Sequence, residues 1–292
     1  MGSNPTLSAF LMDKNILNNF IDGMKEAMCK LGEIAFASQG KVINSGKQVE
    51  DLSSDNDFIK QERMAKTIID EKVQEGLLLV ASKLLDTSYV YLDAEEETPS
   101  KEKFSLEPAD ATLVIDPLDG TLRYLLGKDG FSICVGLIKK GVMLTSLVYF
   151  PARKEFYFTK HGKVYCEASK EVKELLAPKV KKDNKIFMNT RASAQLADSF
   201  IKQGFDVIDD ASGLVSWPDA LIGCIKGEYS ACIFHTPQIR DVLLGAMISK
   251  ISGGYALDWA GHEIIWPSGG RIPHIMFGFN PLPEKMLSCL NR

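Results

Sequence analysis

The sequence carries no surplus of positive charge: 34 Lys and Arg stand against 38 Asp and Glu, a net charge of −4 over 292 residues. A nucleic-acid polymer requires a basic footprint, so that partner class is excluded. The six cysteines (29, 134, 166, 224, 232 and 289) form no C-x-x-C pair, and no His/Cys cluster has zinc-ligand spacing. Cys134 in Ser132-Ile133-Cys134-Val135 and Cys232 in Ala231-Cys232-Ile233 lie inside apolar runs. Buried free thiols in a reducing compartment are the expectation. No apolar run is long enough to cross a bilayer and no signal-peptide pattern is found, so a cytoplasmic protein is expected. Met1-Gly2-Ser3-Asn4-Pro5-Thr6 fits the loose myristoylation pattern, but the pattern is short and a plain disordered terminus explains it better. No G-x-x-x-x-G-K-[ST] run occurs, which argues against a P-loop nucleotidase.

What is present is an ordinary globular composition, 45% hydrophobic and 25% charged, enough for one large domain or two packed subdomains. Apolar residues at 16, 20, 24, 28, 31 and 34 recur at three- and four-residue steps and predict a helix over 13–36. A second helix is expected over 62–85, with Met64, Ile68, Ile69, Val73 and Leu77 on one side, after a polar surface loop at 45–57. Then the pattern changes. Ser88–Leu92 and Thr112–Ile115 read as strands, and 132–138, 142–150, 155–160 and 163–166 as an antiparallel meander. Beyond 165 helices (193–203, 216–226, 241–251) alternate with strands (185–188, 229–234). The expected fold is α+β passing into α/β, with a mixed antiparallel N-terminal sheet and an α/β C-terminal part, divided as 1–150 and 151–292.

Three acidic features stand out: Glu95-Glu96-Glu97 after a strand, Asp116 and Asp119 straddling Pro117-Leu118, and Asp241 at the head of an apolar helix. The short apolar run 112–115 delivers Asp116 to the end of a buried strand. Pro117 should start a turn, and Asp119 returns three residues later, so both carboxylates can enter one crevice. Two carboxylates that close repel each other unless a cation stands between them. Magnesium suits such a site because it prefers oxygen ligands. Gly120-Thr121 then lets the chain enter a helix whose free N–H groups favour an anion. The alternative is a Pro-containing surface turn with two solvated acids. Glutamate runs are usually solvated, and Asp241 alone could be a helix N-cap. The spacing D-x-x-D-G-T also differs from the D-x-D-G-T of haloacid-dehalogenase-type phosphatases, so Asp116 is better cast as a metal ligand than as a nucleophile.

These residues resemble the inositol monophosphatase family, in the lithium-sensitive, Mg²⁺-dependent phosphatase superfamily that also holds fructose bisphosphatases and 3'-phosphoadenosine phosphatases. The signature D-P-[IL]-D-G-T is met in full by Asp116-Pro117-Leu118-Asp119-Gly120-Thr121. An upstream Glu-Glu pair resembles Glu95-Glu96, T-x-x-D resembles Thr67-Ile68-Ile69-Asp70, and W-D-x-A-[AG]-G resembles Arg240-Asp241-Val242-Leu243-Leu244-Gly245. The resemblance implies a layered αβαβα sandwich and a phosphate monoester hydrolase using two or three Mg²⁺ ions. Its implied metal ligands are Glu95, Asp116, the Leu118 carbonyl, Asp119 and Asp241. Either Glu95 or Glu96 can be the first ligand. Its implied catalytic residues are Glu96, or Thr121 with Asp70, which orient or deprotonate the attacking water. Gly120, Thr121, Ser216, Phe234 and Arg240 fall at its substrate-binding positions. Arg240 stands where the family has Trp, and Phe234 where inositol-handling members have a Glu that grips hydroxyls. The implied partner is therefore a small phosphorylated metabolite other than plain inositol monophosphate. A nucleoside 3',5'-bisphosphate is the alternative, with Trp217, Phe234 and Tyr124 as stacking candidates and Arg123 and Arg240 as cations for a second phosphate. A sugar phosphate or bisphosphate is a further option. A catalytically silent relative that binds a phosphorylated ligand is the alternative of another class. Homodimers are common in the family, although no interface is legible in the sequence. Of the histidines, only His235 falls near the expected pocket.

Overall fold

The computed structural model describes residues 12–47, 60, 61, 64–105, 107–179, 184–189, 194–209, 215–279, 286, 288 and 289. Helix α1 (Lys14–Ser38) is capped by Asp13, whose carboxylate accepts from the Asn15 and Ile16 N–H groups. Its apolar stripe buries Phe20, Met24 and Met28, while Ile16 and Ile34 at its ends are exposed. Helix α2 (Ile68–Leu84) starts later than the expected 62, because residues 65–67 leave the helical path. Thr67 caps it in a reciprocal capping box with Asp70.

A seven-stranded sheet follows, in the order β1-β2-β3-β4-β5-β6-β7. Its strands are β1 (Val90–Ala94), β2 (Ala111–Asp119), β3 (Ser132–Lys139), β4 (Val142–Phe150), β5 (Glu155–Lys160), β6 (Lys163–Ala168) and β7 (Glu171–Glu174). Only β1 and β2 run parallel. Strand alternation divides the side chains between two faces. Leu113, Ile115, Val135, Leu147 and Tyr149 pack against α1 and α2, and Val114, Cys134, Val148 and Phe150 face the other way.

The second sheet has five strands in the order β11-β12-β10-β8-β9: β8 (Lys185–Met188), β9 (Asp206–Asp209), β10 (Ala231–Phe234), β11 (Gly254–Asp258) and β12 (Ile275–Phe279). Helices α5 (Trp217–Ile225) and α6 (Leu243–Ile248) lie between the sheets, and their apolar residues join Val114 and Phe150 of one sheet to Phe234 and Phe277 of the other. A third core on the outer face of the second sheet holds Ile186, Ile233, Met276 and, from helix α4 (Ala194–Lys202), Phe200. Three cores separate five layers, helix–sheet–helix–sheet–helix, as the family resemblance implies. The sheets change over between residues 174 and 185. A short helix α3 (Thr121–Leu125) joins β2 to β3.

Candidate metal and phosphate site

Strand β2 is buried along almost its whole length, and Asp116 at its carboxyl end is only 3% exposed. Pro117 was expected to open a turn. Instead the chain stays paired with β3, slipping register between Asp116 and Asp119, where Pro117 cannot donate to the ladder. The Leu118 N–H turns inward to donate to Asp116 Oδ1 (3.0 Å). The turn waits for Gly120, whose φ of +84° lies in the left-handed region. A Cβ there would also stand 3.3 Å from the Gly130 carbonyl oxygen. Helix α3 begins directly after it, and Tyr124 N–H closes the first turn on the Gly120 carbonyl (3.0 Å).

Asp70 reaches this point from the first turn of α2. Its Oδ2 accepts from the Thr67 N–H (2.8 Å) and the Thr67 hydroxyl (2.6 Å), and its Oδ1 lies 3.2 Å from Thr121 Oγ1. The Thr121 hydroxyl is also 2.9 Å from the Leu118 carbonyl oxygen. Burial pushes the Asp70 carboxyl up to about 6 against the lowering effect of the Thr67 hydrogen bonds and Lys47. The capping box therefore serves two ends: it starts the helix and presents Asp70 to Thr121.

The glutamate run resolves into three different residues. Glu97 is solvated and pairs with Lys101. Glu96 is buried; its backbone is clamped by the Gln74 amide, which accepts from the Glu96 N–H (2.7 Å) and donates to the Glu96 carbonyl. Its Oε2 pairs with Lys66 (2.7 Å), while the buried Oε1 accepts no hydrogen bond among the described residues and has Lys47 at 3.7 Å. Glu95 pairs with Lys47 at 2.5 Å. Burial raises the Glu95 carboxyl, but Lys47 and Arg240 outweigh it and hold the group below the usual range.

Asp241 comes from the other half of the chain, in a 3₁₀ turn (Arg240–Val242) that precedes α6. Its Oδ2 accepts from the Gln238 N–H (3.1 Å). Despite their distance in sequence the acids act on one another. Burial, then Glu95, Asp119 and Asp241 push Asp116 well above the ordinary carboxylate range. The neighbouring Cys134 thiol is driven up by burial and by Asp119, Asp116 and Asp241. Among the described residues, however, no three His, Cys, Asp or Glu side chains stand ready-arranged around a metal position. Asp116 and Asp241 accept from backbone N–H groups and Glu95 pairs with a lysine.

The residues at substrate-binding positions divide. Ser216 caps α5, accepting from the Asp219 N–H (3.2 Å), and lies beside the Gly130 carbonyl. Phe234 is fully buried in the central core against Phe187, Trp217 and Phe277. It presents no face to a ligand, because alternation along β10 turns it toward α5. Tyr124 is likewise fully buried, its hydroxyl donating to the Ala35 carbonyl (2.9 Å), so neither ring is available for stacking. Arg240 donates to Asp93 (3.0 Å). The ring of His235 packs 4.4 Å from that of His274, which stacks on Trp259 at 4.0 Å. Sequence reasoning did not single out Lys47, Lys66, Gln74 or Asp93; none of them carries a periodic or motif signal.

The match to the inositol monophosphatase family model spans residues 24–274. The chain belongs to that family. Among individual proteins, it is 25% identical to a putative Nus factor SuhB of Neisseria meningitidis serogroup A over 277 residues, covering 88% of this chain and 93% of that one. It is 23% identical to the 3'(2'),5'-bisphosphate nucleotidase CysQ of Escherichia coli K12 over 154 residues, covering 52% of this chain and 60% of that one. An IMPase/NADP phosphatase solved with Mg²⁺ and phosphate shares the fold, with a TM-score of 0.72 and 16% identity over 95% of this chain and 97% of that one. No helix among the described residues is long and apolar enough to cross a membrane.

Proposed function

We propose that this chain is a Mg²⁺-dependent hydrolase of small phosphate monoesters. The observation that carries this reading is the mutual field of Glu95, Asp116, Asp119 and Asp241, four carboxylates from three distant segments, beside a left-handed glycine and a buried threonine. The donor set fits a hard divalent cation. It is all oxygen, Asp116 is buried and the other three acids are half-buried, and Asp116 is held far from its ordinary ionisation. Glu95, Asp116 and the Leu118 carbonyl would hold metal on one side, and Asp116, Asp119 and Asp241 on the other. The family resemblance puts the total at two or three ions. When bound, Mg²⁺ supplies charge neutralisation at the phosphoryl oxygens and a more acidic water.

The chain's own groups do the rest. Thr121 Oγ1, within reach of Asp70 Oδ1, relays a proton from the attacking water to the Asp70 carboxylate, which is largely ionised above pH about 6. Glu96, held in place by Lys66 and Gln74, is the alternative group to orient that water. The Gly120 and Thr121 N–H groups donate to the phosphate. With Phe234 in the core, no Glu stands at the hydroxyl-gripping position of inositol-handling members, which favours a substrate other than inositol monophosphate. A nucleoside 3',5'-bisphosphate or a sugar phosphate fits the same chemistry, and lithium inhibition is expected. A second reading, a binding or regulatory relative without turnover, is favoured by the likeness to proteins named as Nus factors.

Phosphate release from a panel of inositol, sugar and nucleoside (bis)phosphates, with and without Mg²⁺, separates the two. The expected result is Mg²⁺-dependent release that Asp119→Asn abolishes while circular dichroism stays unchanged. No release from any ester would overturn the hydrolase reading, and release that survives Asp119→Asn would overturn the metal-site assignment.

A further inference from the structure

Arg153 is shared between two acids from distant segments. It stands in the turn 151–154 between β4 and β5. Its N–H closes that turn on the Phe150 carbonyl (3.2 Å), and its guanidinium lies 5.2 Å from the centre of the fully buried Phe150 ring. Arg153 Nε donates to Asp129 Oδ2 (2.9 Å), and a terminal guanidinium nitrogen lies 2.6 Å from Asp219 Oδ1. Asp129 belongs to the segment between α3 and β3, and Asp219 to the first turn of α5. Burial opposes the charge on Arg153, and the two acids more than offset it. A planar guanidinium can hold two carboxylates at once, which a point charge cannot.

Both acids bear on Gly130. The Oδ1 of Asp129 accepts from the Gly130 N–H (2.6 Å). Gly130 has a φ of +104°, and a Cβ on it would meet Asp219 Oδ2 at 2.8 Å, so a glycine lets this segment pass close to α5. The Gly130 carbonyl oxygen then lies 3.3 Å from the place a Cβ on Gly120 would take, and 3.5 Å from Ser216 Oγ. Ser216 in turn accepts from the Asp219 N–H (3.2 Å). One guanidinium thus closes a ring of contacts through Asp129, Gly130, Ser216 and Asp219, with Gly120 packed against it. None of the four carboxylates assigned to metal is a member of that ring.

We infer that Arg153 is a positioning residue for phosphate ester hydrolysis: by holding Asp129 and Asp219 at once it fixes the Gly130 carbonyl against Gly120 and Ser216, and so sets the orientation of the phosphate and its leaving alcohol without touching either. The inference rests on the hydrolase reading above and deepens it. The metal-site acids still hold the ester when the clamp is cut. What is lost is alignment for in-line attack, which enters kcat rather than KM.

The test is steady-state phosphate release by the full chain in Mg²⁺, with the panel ester that wild type hydrolyses fastest, alongside melts with and without Mg²⁺. Arg153→Met is expected to lose about tenfold or more in kcat, with KM changed by less than about threefold. Its melting temperature should still rise with Mg²⁺ as in wild type. Arg153→Lys keeps the charge, but one ammonium cannot fork between two carboxylates; its melt should return toward wild type and its kcat should not. Asp129→Asn, at a side chain 54% exposed, leaves the Arg153–Asp219 pair in place and decides the matter if Arg153→Met fails to fold. It should lose about threefold or more in kcat, and adding it to Arg153→Met should cost nothing further. Wild-type kcat in either single variant, a loss carried by KM alone, or full recovery of kcat in Arg153→Lys overturns the inference and leaves the hydrolase reading standing. Absence of release by wild type overturns both.

Discussion

Asp116→Asn should make the metal-free protein more stable while destroying its response to metal. Asp116 is 3% exposed and is pushed well up by burial and by Glu95, Asp119 and Asp241. Without a bound cation it must either ionise among like charges or take up a proton. At about pH 7.5 the second course sets a ceiling on the cost, roughly 5 kcal/mol for a group whose ordinary value is near 3.8, at about 1.4 kcal/mol per pH unit. Asparagine removes that cost and keeps the shape. Its carbonyl can still accept the Leu118 N–H that Asp116 Oδ1 accepts now. Allowing for imperfect replacement, a gain of about 2–4 kcal/mol in EDTA is expected, or roughly 4–8 °C in Tm for a chain of this size. Wild type should gain about 2.7 kcal/mol on adding Mg²⁺ to a hundredfold excess over its Kd, and the variant almost nothing. Differential scanning fluorimetry of both proteins in EDTA and in Mg²⁺ gives all four numbers. An Asn variant that melts lower than wild type in EDTA and still rises with Mg²⁺ would refute the reasoning, since Asp116 would then be neither strained nor a ligand.

Other consequences are simpler. Gly120→Ala places a side chain at φ +84° and its Cβ 3.3 Å from the Gly130 carbonyl. A loss of about 1–2 kcal/mol is expected in denaturant melts, together with a lower phosphate-release rate. Asp70 binds protons more tightly in the folded chain, at about 6, than at its ordinary 3.8. Its stabilising share is therefore complete below pH about 4 and is lost as pH rises through about 6, by roughly 3 kcal/mol. Urea melts in EDTA across that window should show the decline, and Asp70→Asn should flatten it. The His274 ring is held below its ordinary value by burial, so stability should also fall as pH drops below about 6.5, and His274→Phe should remove that fall in melts at pH about 5 and about 7.5.

The layers were legible because apolar patterning is local. The meander 132–166 and the helices after 193 each fit a period that a short window reveals, and the six residues from Asp116 to Thr121 carry their chemistry without help from elsewhere. What escaped was set by distant partners or by the choice of face. β7 is exposed at all four positions and has no apolar alternation to detect. The start of α2 was blurred back to 62 by Met64, although Thr67-x-x-Asp70 is itself a capping signal. β10 reads as apolar throughout, so nothing local says that Phe234 turns into the core. By sequence Arg240 is a candidate phosphate ligand; its partner Asp93 lies 147 residues away, and no spacing rule connects them. Lys47 sits in a polar stretch that looks like any solvated loop.

The most direct measurement is an anomalous difference map from crystals of the full chain soaked in Mn²⁺. A peak bounded by the side chains of 116, 119 and 241, with carboxylate oxygens about 2.0–2.3 Å away, is the expected result. A map without density there, or with those three side chains turned to bulk solvent, would contradict the assignment of this site.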